Sequence, residues 1–110
     1  MANDQIVTPE EKRRLELSAS FKEILGSENV YFEPPESVKL EYPCILYERS
    51  SGFTDFASNK PYIFRYRYTV TVIDRDPDSD IPGKIATLPM CTFDRGFVVN
   101  NLYHKVFTCF

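Results

Sequence analysis

Aspartates stand at every second position between residues 74 and 80, and this spacing is the clearest hint of chemistry in the chain. The four are Asp74, Asp76, Asp78 and Asp80. Calcium-binding loops use such alternation because successive carboxylate oxygens converge on one cation, but they also require glycine at the sixth position and glutamate at the twelfth. Counted from the first aspartate, those positions hold Ser79 and Ile85. We therefore interpret residues 76–79 as a turn whose polar side chains cap a following helix, and we predict no metal site.

The histidine and the cysteines offer no paired nucleophile. His104 is the only histidine and stands five residues from Cys109 in a strand-like segment, so the two side chains fall on opposite faces. We predict that His104 is a hydrogen-bonded structural residue. The three cysteines, Cys44, Cys91 and Cys109, are odd in number and widely spaced, which fits neither a disulfide framework nor a paired metal clamp. We expect all three to be reduced residues that pack in the core.

No other pattern in the chain supports catalysis or a cofactor. The four glycines are too widely spaced for a phosphate-binding loop. No acidic residue falls in an apolar sequence setting that would shift the pKa of its carboxyl group for acid/base catalysis. The sequence therefore predicts a protein without catalytic residues, cofactor or metal. A small metal-binding or hydrolytic enzyme that uses the aspartates stays open as an alternative.

The size and charge of the chain further limit the kinds of protein it can be. Its 110 residues, 43% of them hydrophobic, suffice for a single domain over residues 1–110 with one core. The net charge of -3 gives no basic field, so we expect no membrane partner and no sequence-specific recognition of nucleic acid. Apolar runs are far shorter than the roughly 20 residues that cross a bilayer, and no signal peptide pattern begins the chain. We expect a soluble, unsecreted protein.

A long strand leads into the aspartates, and a short helix follows them. Residues 62–73 alternate between two faces. The inner face carries Tyr62, Phe64, Tyr66, Tyr68, Val70 and Val72, and the outer face carries Ile63, Arg65, Arg67, Thr69, Thr71 and Ile73. Because arginines and aromatics lie on opposite faces, the strand does not favour stacking of single-stranded nucleic acid. Ile81, Ile85 and Leu88 then share one side of a helix over residues 80–88.

The remaining segments supply another helix and further strands. Thr8 caps a helix with proline at its first position and a capping-box glutamate at Glu11, and this helix ends before Gly26. Strands are predicted at residues 30–32, 40–47, 92–99 and 102–110, with a turn at residues 100–101. The predicted fold class is α+β: a small single domain with an antiparallel or mixed β-sheet, on which the N-terminal helix and the second short helix pack.

Residues 48–61 are predicted as a polar loop that is too long for a tight hairpin. Long loops in small domains are often functional. Phe53 and Phe56 have no evident place in a strand core. They either insert into a partner subunit or fold back on their own domain, and the sequence leaves both readings open.

The outer face of the central strand is the candidate for subunit contact. Arg65 and Arg67 form a positive end, and the turn with Asp76 and Asp78 forms a negative end. Opposite charges at the two ends of one rigid element suit head-to-tail contacts between copies, which close into a ring where the rotation permits. We expect these four residues, together with the two loop phenylalanines, to form the interface.

Five stretches resemble the small neck and tail-completion proteins of long-tailed bacteriophages, and among them the tail terminators in particular. They are residues 30–35, 42–47, 68–79, 91–95 and 101–107, of which Asp-Arg-Asp-Pro-Asp-Ser at residues 74–79 is the most specific part. The likeness covers nearly all of the chain after residue 28. The predicted order of helices and strands also resembles the tail-terminator fold.

The resemblance implies an assembly role. Six copies would form a ring at the head-tail junction of the virion, assembled in the host cytoplasm. The ring would stop polymerisation of the tail tube protein and join the tube to the head-closure or connector protein, with DNA passing through it. The family has no catalytic residues to carry over. A head-closure or adaptor protein of the neck and a small cellular protein-binding adaptor are the alternatives.

Overall fold

The computed structural model describes residues 8–57 and 60–110, with the backbone alone for residue 10 and residues 51–57 and 60–65. Its elements are α1 (Pro9–Leu25), β1 (Val30–Phe32), β2 (Cys44–Ala57), β3 (Lys60–Asp74), α2 (Ile81–Ala86), β4 (Cys91–Val99) and β5 (Leu102–Cys109). The strands form one mixed sheet in the order β1-β2-β3-β5-β4, in which β1 runs parallel to β2 and the other pairs are antiparallel. The predicted α+β class, with two helices and a mixed sheet, is confirmed.

The first helix begins and ends where its sequence signals predict. The Thr8 hydroxyl accepts a hydrogen bond from the Glu11 amide at 3.1 Å, which satisfies one of the free donors of the first turn. Gly26 ends the helix in the left-handed conformation, with a φ of 75° that glycine adopts without strain. Leu17 and Phe21 are buried on the side of α1 that faces the sheet, as the apolar spacing predicts.

Both helices pack on the same face of the sheet, and the core lies between these layers. Its buried members are Leu17, Phe21, Ile45, Tyr47, Tyr68, Val70, Val72, Ile81, Ile85, Cys91, Phe107 and Cys109. Tyr47 joins the layers: its ring lies edge-on to Phe21 at 5.3 Å, and its hydroxyl donates to the Arg14 carbonyl at 3.2 Å. Within the described residues, no helix covers the opposite face of the sheet.

Prolines set where the first two strands stop and start. β1 lies at the sheet edge and ends at Phe32 before the pair Pro34-Pro35, which cannot donate to a ladder. β2 begins at Cys44 instead of the predicted residue 40, because Pro43 has no amide to donate to the ladder. The sheet therefore starts with a short parallel pair.

A short helix and a hairpin complete the chain. α2 spans six residues, fewer than the predicted 80–88, and it buries Ile81 and Ile85, while Leu88 packs against the core from beyond its end. β4 and β5 are joined at Asn100 and Asn101, whose φ values of 53° and 63° suit a two-residue hairpin turn. The turn predicted at this asparagine pair is confirmed.

The loop predicted at residues 48–61 is wrong. β2 continues to residue 57 and β3 begins at residue 60, so nearly all of this segment belongs to a ladder. Residues 58–59 lie outside the described residues. The register shifts twice along the ladder, between Arg49 and Ser51 and between Asp55 and Phe56. Each shift interrupts the regular two-residue period of a strand, so the segment lacks the strict alternation by which strands are recognised.

The prediction of three reduced cysteines is wrong for two of them. Cys91 and Cys109 face each other across β4 and β5, with Cα atoms 4.1 Å apart, and form a disulfide. Cys44 is free and fully buried, as predicted. The odd number and wide spacing of the cysteines did not predict this disulfide, because hairpin pairing brings together two residues that are 18 apart in sequence.

Candidate subunit interface

The central strand β3 presents the two faces that its alternation predicts. On the helix side the buried residues are Tyr68, Val70 and Val72. On the other side, Arg67 is exposed and Thr69 and Thr71 are half-buried. Ile73 departs from the prediction of an open outer face, because only 4% of it is exposed between its neighbours on β2 and β5. The accessible outer face of the described strand is therefore Arg67 and the two threonines.

The two charged ends lie at opposite ends of this face. The Arg67 guanidinium carbon is 5.4 Å from the centre of the Phe110 ring, and the side chain remains exposed. Asp76 and Asp78 are exposed beyond the end of β3 at Asp74, and neither forms an ion pair within the described residues. At about 3.3 Å per residue, Arg67 and Asp74 are roughly 23 Å apart, so the charges of the two ends are screened from each other within one copy.

Hydrogen bonds fold the aspartate run onto its own backbone. An Asp74 oxygen accepts from the Asp76 amide at 3.1 Å, and an Asp76 oxygen accepts from the Asp78 amide at 2.9 Å. The Ser79 hydroxyl accepts from the Ile81 amide at 3.3 Å, so serine, and not an aspartate, binds the first turn of α2. Among the described residues, no three His, Cys, Asp or Glu side chains are grouped to hold a metal ion. The interpretation of residues 76–79 as a turn is confirmed.

The hairpin of β2 and β3 continues as a two-stranded arm, defined by residues 50–57 and 60–67. β1 pairs with β2 only as far as Tyr47, and β5 pairs with β3 only from Tyr68 onwards. The described residues therefore give the arm no third strand. The radius of gyration is 15.6 Å, above the roughly 13 Å expected of a compact domain of this length, which agrees with an arm that projects from the body.

Four of the predicted interface residues belong to the arm, and Arg67 at its base is described above. Phe53 and Arg65 are cross-strand neighbours, and Phe56 faces Pro61. The side chains of the two phenylalanines, Arg65 and Pro61 lie outside the described part of the structure. The prediction that both phenylalanines stand on a loop is wrong, because both belong to β2. Their insertion into a partner subunit stays a prediction.

Arg49 packs among aromatic rings where the arm leaves the body, and no sequence pattern predicted this setting. Its guanidinium carbon lies 4.4 Å from the centre of the Tyr66 ring, 5.5 Å from that of Phe32 and 6.0 Å from that of Tyr68. The nearby Tyr68 hydroxyl raises the pKa of Arg49. Among the described residues, the Tyr68 hydroxyl and the Arg49 Nε have no hydrogen-bond partner that meets the usual geometry. The cation therefore holds rings from β1 and β3 together at the base of the arm.

A cleft of about 240 Å³ opens on the face of the sheet that carries no helix. It is lined by Glu33, Pro34, Leu46, Tyr47, Glu48, Thr69 and Thr71. One Glu33 oxygen accepts from the Arg49 amide at 3.1 Å. Glu48 is exposed and forms no ion pair within the described residues. The cleft therefore combines apolar walls with two carboxylates, of which Glu33 already interacts with the Arg49 cation.

β4 forms the far edge of the sheet and exposes apolar side chains. The exposed ones are Phe93, Phe97, Val98 and Val99. Sequence reasoning predicted the strand but not its position at an edge, since strand order depends on pairings distant in sequence. The ring of Phe97 stacks on His104 at 4.6 Å, and His104 Nδ1 lies 3.0 Å from the Leu102 carbonyl oxygen. The predicted structural role of His104 is confirmed.

Comparison with models of known protein families and with curated protein sequences gives no match to this chain. Among the described helices, none has the length and apolar character needed to cross a membrane.

Proposed function

We propose that the chain is a structural virion protein whose copies form a ring, of six subunits, at the head-tail junction of a long-tailed bacteriophage. The ring ends the tail tube and joins it to the head connector. In this proposal the chain acts through surfaces that bind other protein subunits, and it carries out no reaction.

The separation of opposite charges along one rigid strand is the observation that carries the proposal. Arg67 stands at the base of the arm, while Asp76 and Asp78 lie beyond the other end of β3. A positive patch on one copy is complementary to the negative patch on another copy. They suit a head-to-tail contact in which each copy uses a different patch toward each neighbour, and such contacts generate rings.

The open surfaces of the sheet also support assembly. A face without helices, a projecting arm and an apolar edge strand would each leave backbone or apolar groups in water in an isolated copy. Burial against neighbours would remove these groups from water. This argument supports association in general, whereas the place of the ring in the virion comes from the sequence likeness.

Electron microscopy of the intact particle tests the proposal directly. We expect symmetric density for this chain at the head-proximal end of the tail, located with an antibody fragment or a small fused tag. Absence of the chain from purified particles, or density at another site, would contradict the proposal.

Loss of the gene product separates a terminator from a head-closure protein. A terminator stops tube polymerisation, so particles made without it should carry tubes of excessive length. A head-closure protein acts on the capsid side, so its loss should leave tails of normal length that do not join to heads. We expect the first result.

A further inference from the structure

We infer that the two edge strands of the sheet join neighbouring copies, with β1 of one copy pairing antiparallel to β4 of the next. The occupant of each edge is thus a second copy of the chain, held by backbone hydrogen bonds and apolar side chains. This inference rests on the proposed self-assembly, but it uses the sides of the sheet and not the charged ends of β3.

β4 presents a free row of backbone groups. Val99 and Leu102 flank the two-residue turn between β4 and β5, and the pair that closes such a turn is hydrogen-bonded. Because the direction of hydrogen bonding alternates along a strand, the amides and carbonyls of Gly96 and Val98 point away from β5. Among the described residues, β4 has β5 as its only partner strand.

Apolar side chains are exposed along the same edge. Val98 is 56% exposed, and its neighbours Phe97 and Val99 are exposed as well. An apolar edge pairs with other chains unless charges, prolines or bulges protect it. The register shift of β4 lies before Arg95, so the strand is regular from there to its end. This stretch is therefore suited to bind another strand.

β1 presents the opposite edge of the sheet. The Ile45 amide donates to the Asn29 carbonyl at 3.0 Å. The Glu33 amide donates to the Tyr47 carbonyl at 2.9 Å. The residues at odd positions of this segment therefore face β2, and the amide and carbonyl of Phe32 point away from the sheet.

The directions of the two edges match in a head-to-tail arrangement. β1 runs parallel to β2 and every other pair is antiparallel, so β1 and β4 run in opposite directions. A neighbour in the same orientation, with its helices on the same side, therefore offers its β1 antiparallel to β4. Since each copy uses β4 toward one neighbour and β1 toward the other, a closed ring leaves no free edge.

One register aligns both the free backbone groups and the faces of the two strands. In it Phe32 pairs with Gly96, whose backbone groups also point outward. Both positions lie on the face that carries the helices, since Phe32 packs against the core and Gly96 aligns through Lys105 with the buried Val72. The facing pairs are then Val30 with Val98, Tyr31 with Phe97 and Phe32 with Gly96.

The side chains that meet in this register are complementary. Tyr31 and Phe97 form an aromatic pair on the uncovered face, and Glu33, which follows β1, comes opposite Arg95. In its own copy Arg95 already binds Asp94 at 2.8 Å, so across the contact it lies between two carboxylates. Displacement by two residues in one direction brings Glu33 opposite Phe97, and in the other it sets β1 against the bulge of β4.

Disulfide trapping between two single variants is the first test. Four strand spacings of about 4.8 Å place Tyr31 and Phe97 roughly 19 Å apart in one copy, whereas a disulfide requires Cα atoms within about 7 Å. Tyr31→Cys and Phe97→Cys, each with Cys44→Ala to remove the free thiol, are co-expressed, purified at a concentration where the chain self-associates, and oxidised mildly. We expect a linked dimer that contains one copy of each variant.

The single variants serve as controls for this experiment. Neither should form a linked dimer when it is oxidised alone. A dimer of Phe97→Cys with itself would show that two β4 strands pair about a two-fold axis, and this result would overturn the inference. So would the absence of a mixed dimer from protein that does self-associate.

A charge on the free edge is the second test. Val98→Lys places an ammonium group opposite Val30 of the neighbour, and lysine on an edge strand opposes pairing. Self-association should weaken by about tenfold or more in sedimentation velocity. Leu15→Lys makes a similar change at an exposed apolar position on α1 and should leave association unchanged, while circular dichroism checks that both variants fold.

The outcomes separate this inference from the proposed function. If rings form in the particle but no mixed dimer is trapped and Val98→Lys associates as the wild type does, the edge contact is wrong while the assembly role stands. If mixed dimers form but the chain is absent from particles, the edge contact stands and the virion role fails. If the wild-type chain never self-associates, in particles or in solution, both fail.

Discussion

Arg67 combines a contact within its own chain with a charge that faces solvent. Its guanidinium lies over Phe110, and the exposed arrangement contributes about 0.5 to 1 kcal/mol at most. Arg67→Glu removes that contact and reverses the charge at the positive end of β3. We expect the monomer to remain folded by circular dichroism, whereas association of the copies should weaken by about tenfold or more in sedimentation experiments.

Arg75 provides the matched control for this variant. Its guanidinium also lies over an aromatic ring, that of Tyr42 at 5.3 Å, and its side chain is also exposed. Arg75→Glu makes the same charge change at the end of β3 that is already acidic. Because Arg75 stands beside Asp76 in the proposed negative end, its replacement makes that end more acidic and should strengthen association. Equal losses for both variants would show that net charge alone controls assembly.

Because of Cys44, the free energy of unfolding depends on pH in the alkaline range. Burial, and to a lesser extent the negative charge of Asp74, raise the pKa of Cys44 from 9.0 to about 11. The unfolded thiol loses its proton near its ordinary pKa while the folded thiol keeps it, so this stability is fully present below pH 9 and lost as pH rises towards 11. The full loss amounts to roughly 2 to 3 kcal/mol.

Urea unfolding at two pH values measures this effect. We expect the free energy of unfolding to fall between about pH 8 and about pH 10.5, and to fall less in Cys44→Ala, which lacks the thiol. The difference between the two proteins isolates Cys44 from the tyrosines that titrate in the same range. Identical pH dependence in both proteins would rule out a perturbed thiol at this position.

At the level of elements, the disulfide ties β4 to β5. The bond closes a loop of 18 residues that contains the hairpin turn. In the chain-entropy description, a loop of this size restricts the unfolded chain enough to stabilise the fold by about 3 kcal/mol. Reduction should therefore lower the urea midpoint markedly, and the intact mass of the oxidised protein should be lower by two hydrogens.

Cys109→Ala in the presence and absence of reductant completes the comparison. The variant cannot form the bond, so its stability should not respond to reductant, whereas Cys44→Ala should respond as the wild type does. A wild-type mass that corresponds to three free thiols without any reductant would show that the strands do not carry the bond.

Sequence patterns predicted those helices, strands and turns that are specified by residues close to one another in the chain. Thr8 and Gly26 set the ends of α1, the alternation from Tyr62 to Ile73 set β3, and two asparagines set the last hairpin. Each depends on capping, side-chain period or left-handed backbone, which are properties of neighbours in sequence. The predicted fold class followed from these elements.

Register shifts explain why the disulfide and the arm could not be predicted from the sequence. The pairing of Val99 with Leu102, continued without a shift, would place Cys91 opposite Phe110. The shift between Phe93 and Arg95 instead brings Cys91 opposite Cys109. Similar shifts in β2 obscured the arm. The position of a bulge depends on how the strands pair across the sheet, so no local sequence pattern predicts it. The aromatic rings around Arg49 are brought together by the same pairing.

For the whole molecule, three features lie at different places on one copy. The helices cover one face of the sheet, the arm projects from one end, and the cleft lies on the uncovered face. In the proposed assembly, head-to-tail contacts between copies either close into a ring or continue into a filament, and the rotation between copies decides which.

The position of β3 in the sheet also governs when the domain can fold during synthesis. β3 lies between β2 and β5, and Phe107 on β5 completes the core around Val70. Until the ribosome has made residues 102–109 and released them, one edge of the central strand has no partner. A nascent chain halted before that point would expose a long aromatic strand of the kind that chaperones bind and that aggregates with its own copies.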